Sequence, residues 1–178
     1  MSSLAPDSAL APDFGEPFVG WRVWLLSREP EGFRLKSLVH KVVWQPGQPL
    51  VASCLRRRSY LSWVCQPSEH DAPEERCECG IYATRIGMLS EYLCLGPIDR
   101  PLACAFGQVS LWGAVIECER GWRASAGYPR RIYLPAEPLL RHGQSPEEIA
   151  FDLTAYHVPV EFVEQDLRRA LPELARAA

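Results

Sequence analysis

Lysine is nearly missing from this chain. Lys36 and Lys41 are the only two among 19 basic residues; the other 17 are arginine. A GC-rich genome produces such a bias without any function, so the bias assigns none. A basic surplus is missing too: 22 acidic residues leave a net charge of −3. That excludes bulk, sequence-blind nucleic-acid binding, which needs a basic surface, and leaves room only for a local patch. No run of about 18 apolar residues occurs, so no membrane-spanning helix is expected. The start, "MSSLAPDSALAPDFGEPF", has neither a basic n-region nor an apolar core; it does not read as a secretory signal. A cytoplasmic chain is the expectation, and thiols stay reduced there.

Several catalytic signatures are also lacking. There is no G-x-x-x-x-G-K-[ST] phosphate loop, no G-x-G-x-x-G after a strand, no G-x-S-x-G elbow and no H-E-x-x-H. The deaminase pair, H-x-E with P-C-x-x-C, is absent as well.

What is present is cysteine. There are seven, an odd number that a fully paired disulfide framework does not fit. They must serve as core residues, metal ligands or reactive groups. Cys65, His70, Cys77 and Cys79 fall within fifteen residues around "HDAPEERCECGIYATR". Zinc takes four such soft or borderline ligands in a tetrahedron, and loops supply them readily. Gly80 permits a tight turn beside them, and Cys54 rivals Cys65 for the fourth position. Other readings of the same residues stay open. Cys77 or Cys79 can act as a nucleophile with His70 as base, since a cysteine ahead of a helix has its pKa lowered. A catalytic zinc would keep an open position for water, with Glu78 or Asp71 nearby. The plainest alternative is a tight corner, with Cys65 in the core and His70 in solvent.

The pattern along the chain sets the architecture. Residues 1–17 read as a flexible leader of Ala, Pro, Ser and Asp. "FVGWRVWLL", "FRLKSLVHKVVW" and "LVASCLR" read as strands, rich in β-branched and aromatic residues. "CGIYATRIGMLSEYL" carries Ile81, Ile86, Leu89, Tyr92 and Leu93 at near-helical spacing and predicts a helix. "LACAFGQVSLWGAVIECER" is the most apolar segment; Gly107 and Gly113 predict a bend. "GWRASAGYPRRIYLP" continues as a hairpin. In the last third, Ser145, Pro146 and Glu148 form a capping box. Val160, Val163, Leu167, Ala170, Leu171 and Leu174 then predict a second helix, although "VPVEFV" also suits a short strand.

Aromatic and arginine residues interleave between Trp112 and Arg131. Trp122, Arg123, Tyr128 and Arg130 are the candidate ligand-binding residues, since rings and guanidinium groups hold a base, a nucleotide or a peptide. Alternatively Trp112 is core and Arg123 pairs with Glu117 or Glu119. Arg56, Arg57 and Arg58 form a short basic run that suits a solvated turn or a phosphate contact.

"HDAPEERCECGIYAT" followed by "LWGAVIECERGWRASAGYP" resembles the combination found in a group of uncharacterised bacterial proteins, chiefly actinobacterial, over about residues 20–135. The resemblance carries no activity. It implies that His70, Cys77, Cys79 and the Gly113–Pro129 hairpin form one construction. At fold level the chain is also similar to small PUA-like barrels, which bind modified bases or structured RNA.

The expected fold is α+β: a small, strongly bent or barrel-like antiparallel sheet with one inserted helix and C-terminal helices. A core over 18–135 precedes a helical arm over 136–178. The expected function is a non-enzymatic binding or adaptor module with a structural zinc site. A protein partner would meet its C-terminal helices, a nucleotide or nucleic acid could touch the arginine face, and no membrane is involved. A cysteine-dependent enzyme and a zinc hydrolase are the alternatives.

Overall fold

The computed structural model describes residues 16–57, 65–67, 70–93, 104–135 and 145–163. Among the described residues, nine strands and two short helices follow one another. They are β1 (Phe18–Glu29), β2 (Gly32–Ser37), β3 (Leu50–Val51), β4 (Leu55–Arg57), β5 (Cys65–Pro67), β6 (Ile81–Thr84), α1 (Leu89–Leu93), β7 (Cys104–Cys118), β8 (Gly121–Pro135), α2 (Pro146–Leu153) and β9 (Val160–Val163). Single 3-10 turns precede α1 and follow α2.

Four of the strands close on themselves. β1 pairs with β7, β7 with β8, β8 with β6, and β6 with β1. β2, β3 and β9 extend this ring, while β4 and β5 form a separate pair. Long strands make closure possible because they bend. β7 and β8 are joined by a tight turn, and their register shifts between Gln108 and Val109 and between Trp112 and Val115. Each shift adds local twist. Gly113 sits in the second with φ of 76°, a conformation that L side chains rarely adopt. Pro129 lies opposite Val109 at the first, where a missing N–H does least harm.

Strand alternation sorts the apolar side chains into two groups. Trp24, Ala105, Val109, Leu111, Ala124, Ile132 and Leu134 face one side, where Trp44 and the α2 residues Ile149 and Leu153 complete the main core. Trp21, Val23, Phe106 and Tyr133 face the other, covered by Leu89 of α1 and Val163 of β9. Trp24 and Trp44 meet edge to face with ring centroids 5.8 Å apart.

The outer edge of β2 is sealed by side chains and a local turn. The Phe33 amide donates to Asp152 Oδ2 at 2.9 Å and the Leu35 amide to the Tyr156 hydroxyl at 3.0 Å. The Ser37 amide donates to the Val42 carbonyl at 2.8 Å. Tyr156 in turn donates to the Trp44 carbonyl at 2.5 Å. Burial pushes this hydroxyl up to about 12, so it stays protonated and can donate. Sealing of this kind removes a template for edge-to-edge association.

The structure departs from the expected fold in four places. Ile81–Thr84 is a strand, because it sits between β1 and β8, and ladder pairing outweighs a weak helical stripe. The helix expected there shrinks to Leu89–Leu93. The sheet is not wholly antiparallel: β9 runs parallel to β8, since the chain returns through α2 before pairing. The region expected as a separate helical arm joins the core up to Val163, with Ile149, Leu153 and Tyr156 fully packed; the helix expected over 164–178 lies outside the described residues, as does the leader up to residue 15. The capping box is present: Glu148 donates its amide to Ser145 Oγ at 3.1 Å. Among the described residues no helix is long and apolar enough to cross a membrane.

Tyr156→Phe tests the edge seal. It leaves the Leu35 amide and the Trp44 carbonyl buried without partners and should cost about 1–3 kcal/mol. Urea unfolding should show a lower midpoint with an unchanged slope. An unchanged midpoint would mean that the hydroxyl seals nothing.

Candidate metal centre

Two segments distant in sequence meet beside β8. The first leaves β3 with the Ala52 amide donating to the Ser125 carbonyl at 2.7 Å, which keeps the chain against the sheet as far as buried Cys54. The second is the loop from His70 to Gly80. It turns where the Cys77 amide donates to the Glu74 carbonyl at 3.0 Å. Gly80 ends it with φ of 124°, and a Cβ there would lie 3.1 Å from Pro73 and 3.2 Å from the Arg123 side chain. A larger residue would be strained and would push the loop off the sheet.

These segments bring Cys54, His70, Cys77 and Cys79 together, with one ligand atom from each lying within 4.8 Å of all the others. Cys54 Sγ and Cys77 Sγ are 3.6 Å apart, and Cys79 Sγ lies 3.4 Å from His70 Nε2. The sulfur–sulfur separation is far beyond the roughly 2.05 Å of a disulfide. It suits a shared ion instead. A tetrahedron with metal–sulfur bonds of about 2.3 Å and metal–nitrogen bonds of about 2.0 Å spaces its sulfurs about 3.8 Å apart and a sulfur and nitrogen about 3.5 Å apart. The four residues can therefore hold a metal ion. The Cys77 thiol is already pulled down to about 7, first by the Cys79 amide and then by the Cys54 thiol. A thiolate is the form that ligates.

Arg123, buried in β8, holds the loop in place. Its Nη1 donates to the carbonyls of Cys77 and Cys79, the latter at 3.1 Å, and more weakly to that of Glu74 at 3.4 Å. Its Nε donates to Cys118 Sγ at 3.4 Å. Tyr82 packs over the same guanidinium, 6.0 Å from ring centroid to Cζ, and donates its hydroxyl to the Glu78 carbonyl at 2.6 Å. Cys77 and Cys79 are thus tied to the β7–β8 hairpin through Arg123, and His70 lies beside Cys79.

No family model, curated protein or solved structure matches the chain. The site is read from its own geometry.

That geometry rearranges the sequence-derived candidates. Cys54 occupies the fourth position of the cluster. Cys65 lies in β5 opposite Arg57, and its side chain is outside the described residues. So are the side chains of Arg56 and Arg57, and Arg58 as a whole. Trp122, Arg123, Tyr128 and Arg130 do not form one surface. Arg123 faces the cysteine loop instead of a ligand, because carbonyls, not Glu117 or Glu119, take its protons. Trp122 packs partly into the main core, with Arg85 over its ring at 4.8 Å. Tyr128 lies six residues along the strand, donating to the Tyr156 carbonyl at 3.1 Å and accepting from the Gly47 amide at 2.7 Å. Arg130 is exposed. Trp112, expected in the core, is only half-buried. Arg123 and Cys118 are the supporting residues that spacing missed. Interleaving with Trp122 and Tyr128 had put Arg123 on a ligand surface; nothing in the spacing pointed to the cysteine loop.

Arg123→Gln should weaken metal binding by roughly 10–100-fold, the usual loss when a group orienting the ligands is removed. Chelator competition measures it. Cobalt uptake by the metal-free protein should also fall as pH drops through 7, where protons compete for Cys77. The thiolate–cobalt absorption reports it. Uptake that is flat between pH 8 and 6 would exclude a thiolate role for Cys77.

Proposed function

We propose that the chain is a non-enzymatic binding or adaptor module whose ring of strands is stapled by a structural zinc ion. One observation carries this reading: the protein supplies four ligand atoms, three sulfurs and an imidazole nitrogen, all within 4.8 Å of one another. A Cys3His set is a common structural zinc environment, and a tetrahedral ion so held has no position left for water. A zinc hydrolase needs that position, so a structural role is the better reading. The cytoplasmic setting expected from the sequence would keep the thiols reduced for the metal. The partner would be a protein, engaged through the stripe of Leu167, Ala170, Leu171 and Leu174.

A second reading draws on the Cys79 Sγ and His70 Nε2 separation of 3.4 Å, a thiol–imidazole pair of the kind that activates a nucleophile. Metal content separates the two readings. Protein purified without added metal should carry close to one zinc per chain. Cys77→Ser should lose the ion and with it cooperative unfolding, since such an ion contributes folding free energy directly. A metal-free, fully folded protein whose Cys79 is alkylated rapidly would overturn the zinc reading and favour the nucleophile.

A further inference from the structure

The cysteine cluster is unevenly exposed. Cys54 is buried, whereas His70, Cys77 and Cys79 are partly open to solvent. A small oxidant arriving from solution therefore meets Cys77 or Cys79 first and Cys54 last. The two outer sulfurs have different neighbours. Cys79 Sγ lies 3.4 Å from His70 Nε2, and Cys77 Sγ lies 3.6 Å from Cys54 Sγ. Cys77 is thus an outer thiol with a sheltered one beside it.

That pairing has a chemical consequence. A cysteine oxidised to the sulfenic acid condenses with an adjacent thiol to a disulfide. The two sulfurs need to close from 3.6 Å to the roughly 2.05 Å of a bond, a shift that side-chain rotation supplies. The local rival is a bridge between Cys77 and Cys79. It would close a ring across a single intervening residue, and loops that short and stiff close poorly. Cys54 and Cys77 stand 23 residues apart in sequence and come from separate segments, both tied to β8. The Ala52 amide holds one segment through the Ser125 carbonyl, and Arg123 holds the other through the Cys77 carbonyl. Neither tie uses a cysteine sulfur, so both survive a change in sulfur bonding.

We propose that Cys54 and Cys77 form a thiol–disulfide switch for the metal centre, closed by hydrogen peroxide and reopened by a dithiol reductant. The switch rests on the zinc reading and adds regulation to the same site. The Cys77 thiolate attacks one peroxide oxygen; the O–O bond breaks, hydroxide leaves and takes a proton to become water, and Cys77 carries the S–OH group. The Cys54 thiolate then attacks the Cys77 sulfur; the S–S bond forms, the S–O bond breaks, and a second hydroxide is protonated to water. Two thiolates lose two electrons, and one peroxide gains them. Zinc keeps its charge but retains only His70 and Cys79, too few for a structural site, and departs. The bridge then links the chain leaving β3 to the cysteine loop where the ion had linked them. The start of β6 stays anchored, and His70 and Cys79 are uncovered. A dithiol reopens the bridge by exchange, itself becoming the disulfide. Disulfides in a reducing compartment are usually of this transient, sensing kind.

The test uses the full chain with the zinc it carries on purification. Metal analysis before oxidation reports on the zinc reading alone. Hydrogen peroxide is then added in modest excess. Zinc release is followed with a chromogenic chelator, and all seven cysteines are mapped by peptide mass spectrometry. Free zinc and bridge should appear together in equal amounts, and the bridge should join Cys54 to Cys77. Dithiothreitol with added zinc should restore the starting state. The oxidised, zinc-free protein should still unfold cooperatively in urea, whereas reduced protein stripped by chelator should not. The switch is overturned if the protein keeps its zinc under peroxide, if the bridge maps to another pair, if Cys77 ends as a sulfinic acid with no bridge, or if the oxidised protein loses cooperative unfolding. Each of these results leaves the zinc reading standing; a chain that carries no zinc before oxidation overturns both.

Discussion

The ring of strands depends on its weakest seam. β1 and β7 share eight register pairs, and β7 and β8 share eleven, but β1 and β6 share one, Trp21 with Thr84. Everything else that closes the ring comes from side chains or from the neighbours of β6. Arg22 reaches across to the Tyr82 carbonyl. Thr84 Oγ1 and the Arg85 amide both bond the Arg120 carbonyl, at 2.8 Å and 3.0 Å, which ties the end of β6 to the β7–β8 turn. β6 is paired along its whole length with β8 but at a single position with β1, so backbone pairing closes that seam only weakly.

The cysteine loop feeds directly into that strand. Cys79 and Gly80 immediately precede Ile81, so whatever fixes the loop also fixes where β6 starts. Arg123 fixes it from below through three carbonyls. An ion shared with Cys54 would fix it from the side and link it to the chain leaving β3. Seen this way, the four ligands and the guanidinium act on the same weak point, and the ligand set belongs to the architecture as much as to any chemistry.

Much of this was legible in the sequence, and the reasons for the rest are physical. Alternation in "FVGWRVWLL" and the glycine-punctuated run around Leu111 gave β1 and β7, because their side-chain periods are set by burial on both faces. The capping box was legible because it is local. Ile81–Thr84 misled because five apolar residues at near-helical spacing do not reveal that two strands wait on either side. Cys54 was only a rival ligand for a similar reason. Its distance in sequence from Cys77 is bridged by the Ala52–Ser125 bond, a tertiary contact that no spacing rule contains. Arg123 read as a surface residue for want of any signal that three loop carbonyls would lack partners. The parallel pairing of β9 follows from the return path through α2, which composition does not encode.

The sealed edge of β2 has a consequence for synthesis. Asp152 lies 119 residues beyond the Phe33 amide it receives, and Tyr156 lies 121 beyond that of Leu35. A ribosome adds about 5–20 residues per second, so β2 waits on the order of ten seconds before its cover emerges. During that interval the nascent chain displays an open strand edge flanked by Phe33 and Leu35. Neighbouring chains on one messenger would find each other there first. A chain broken off before Asp152 would keep that edge open permanently. The late arrival of Asp152 and Tyr156 therefore sets how long that edge stays open during synthesis.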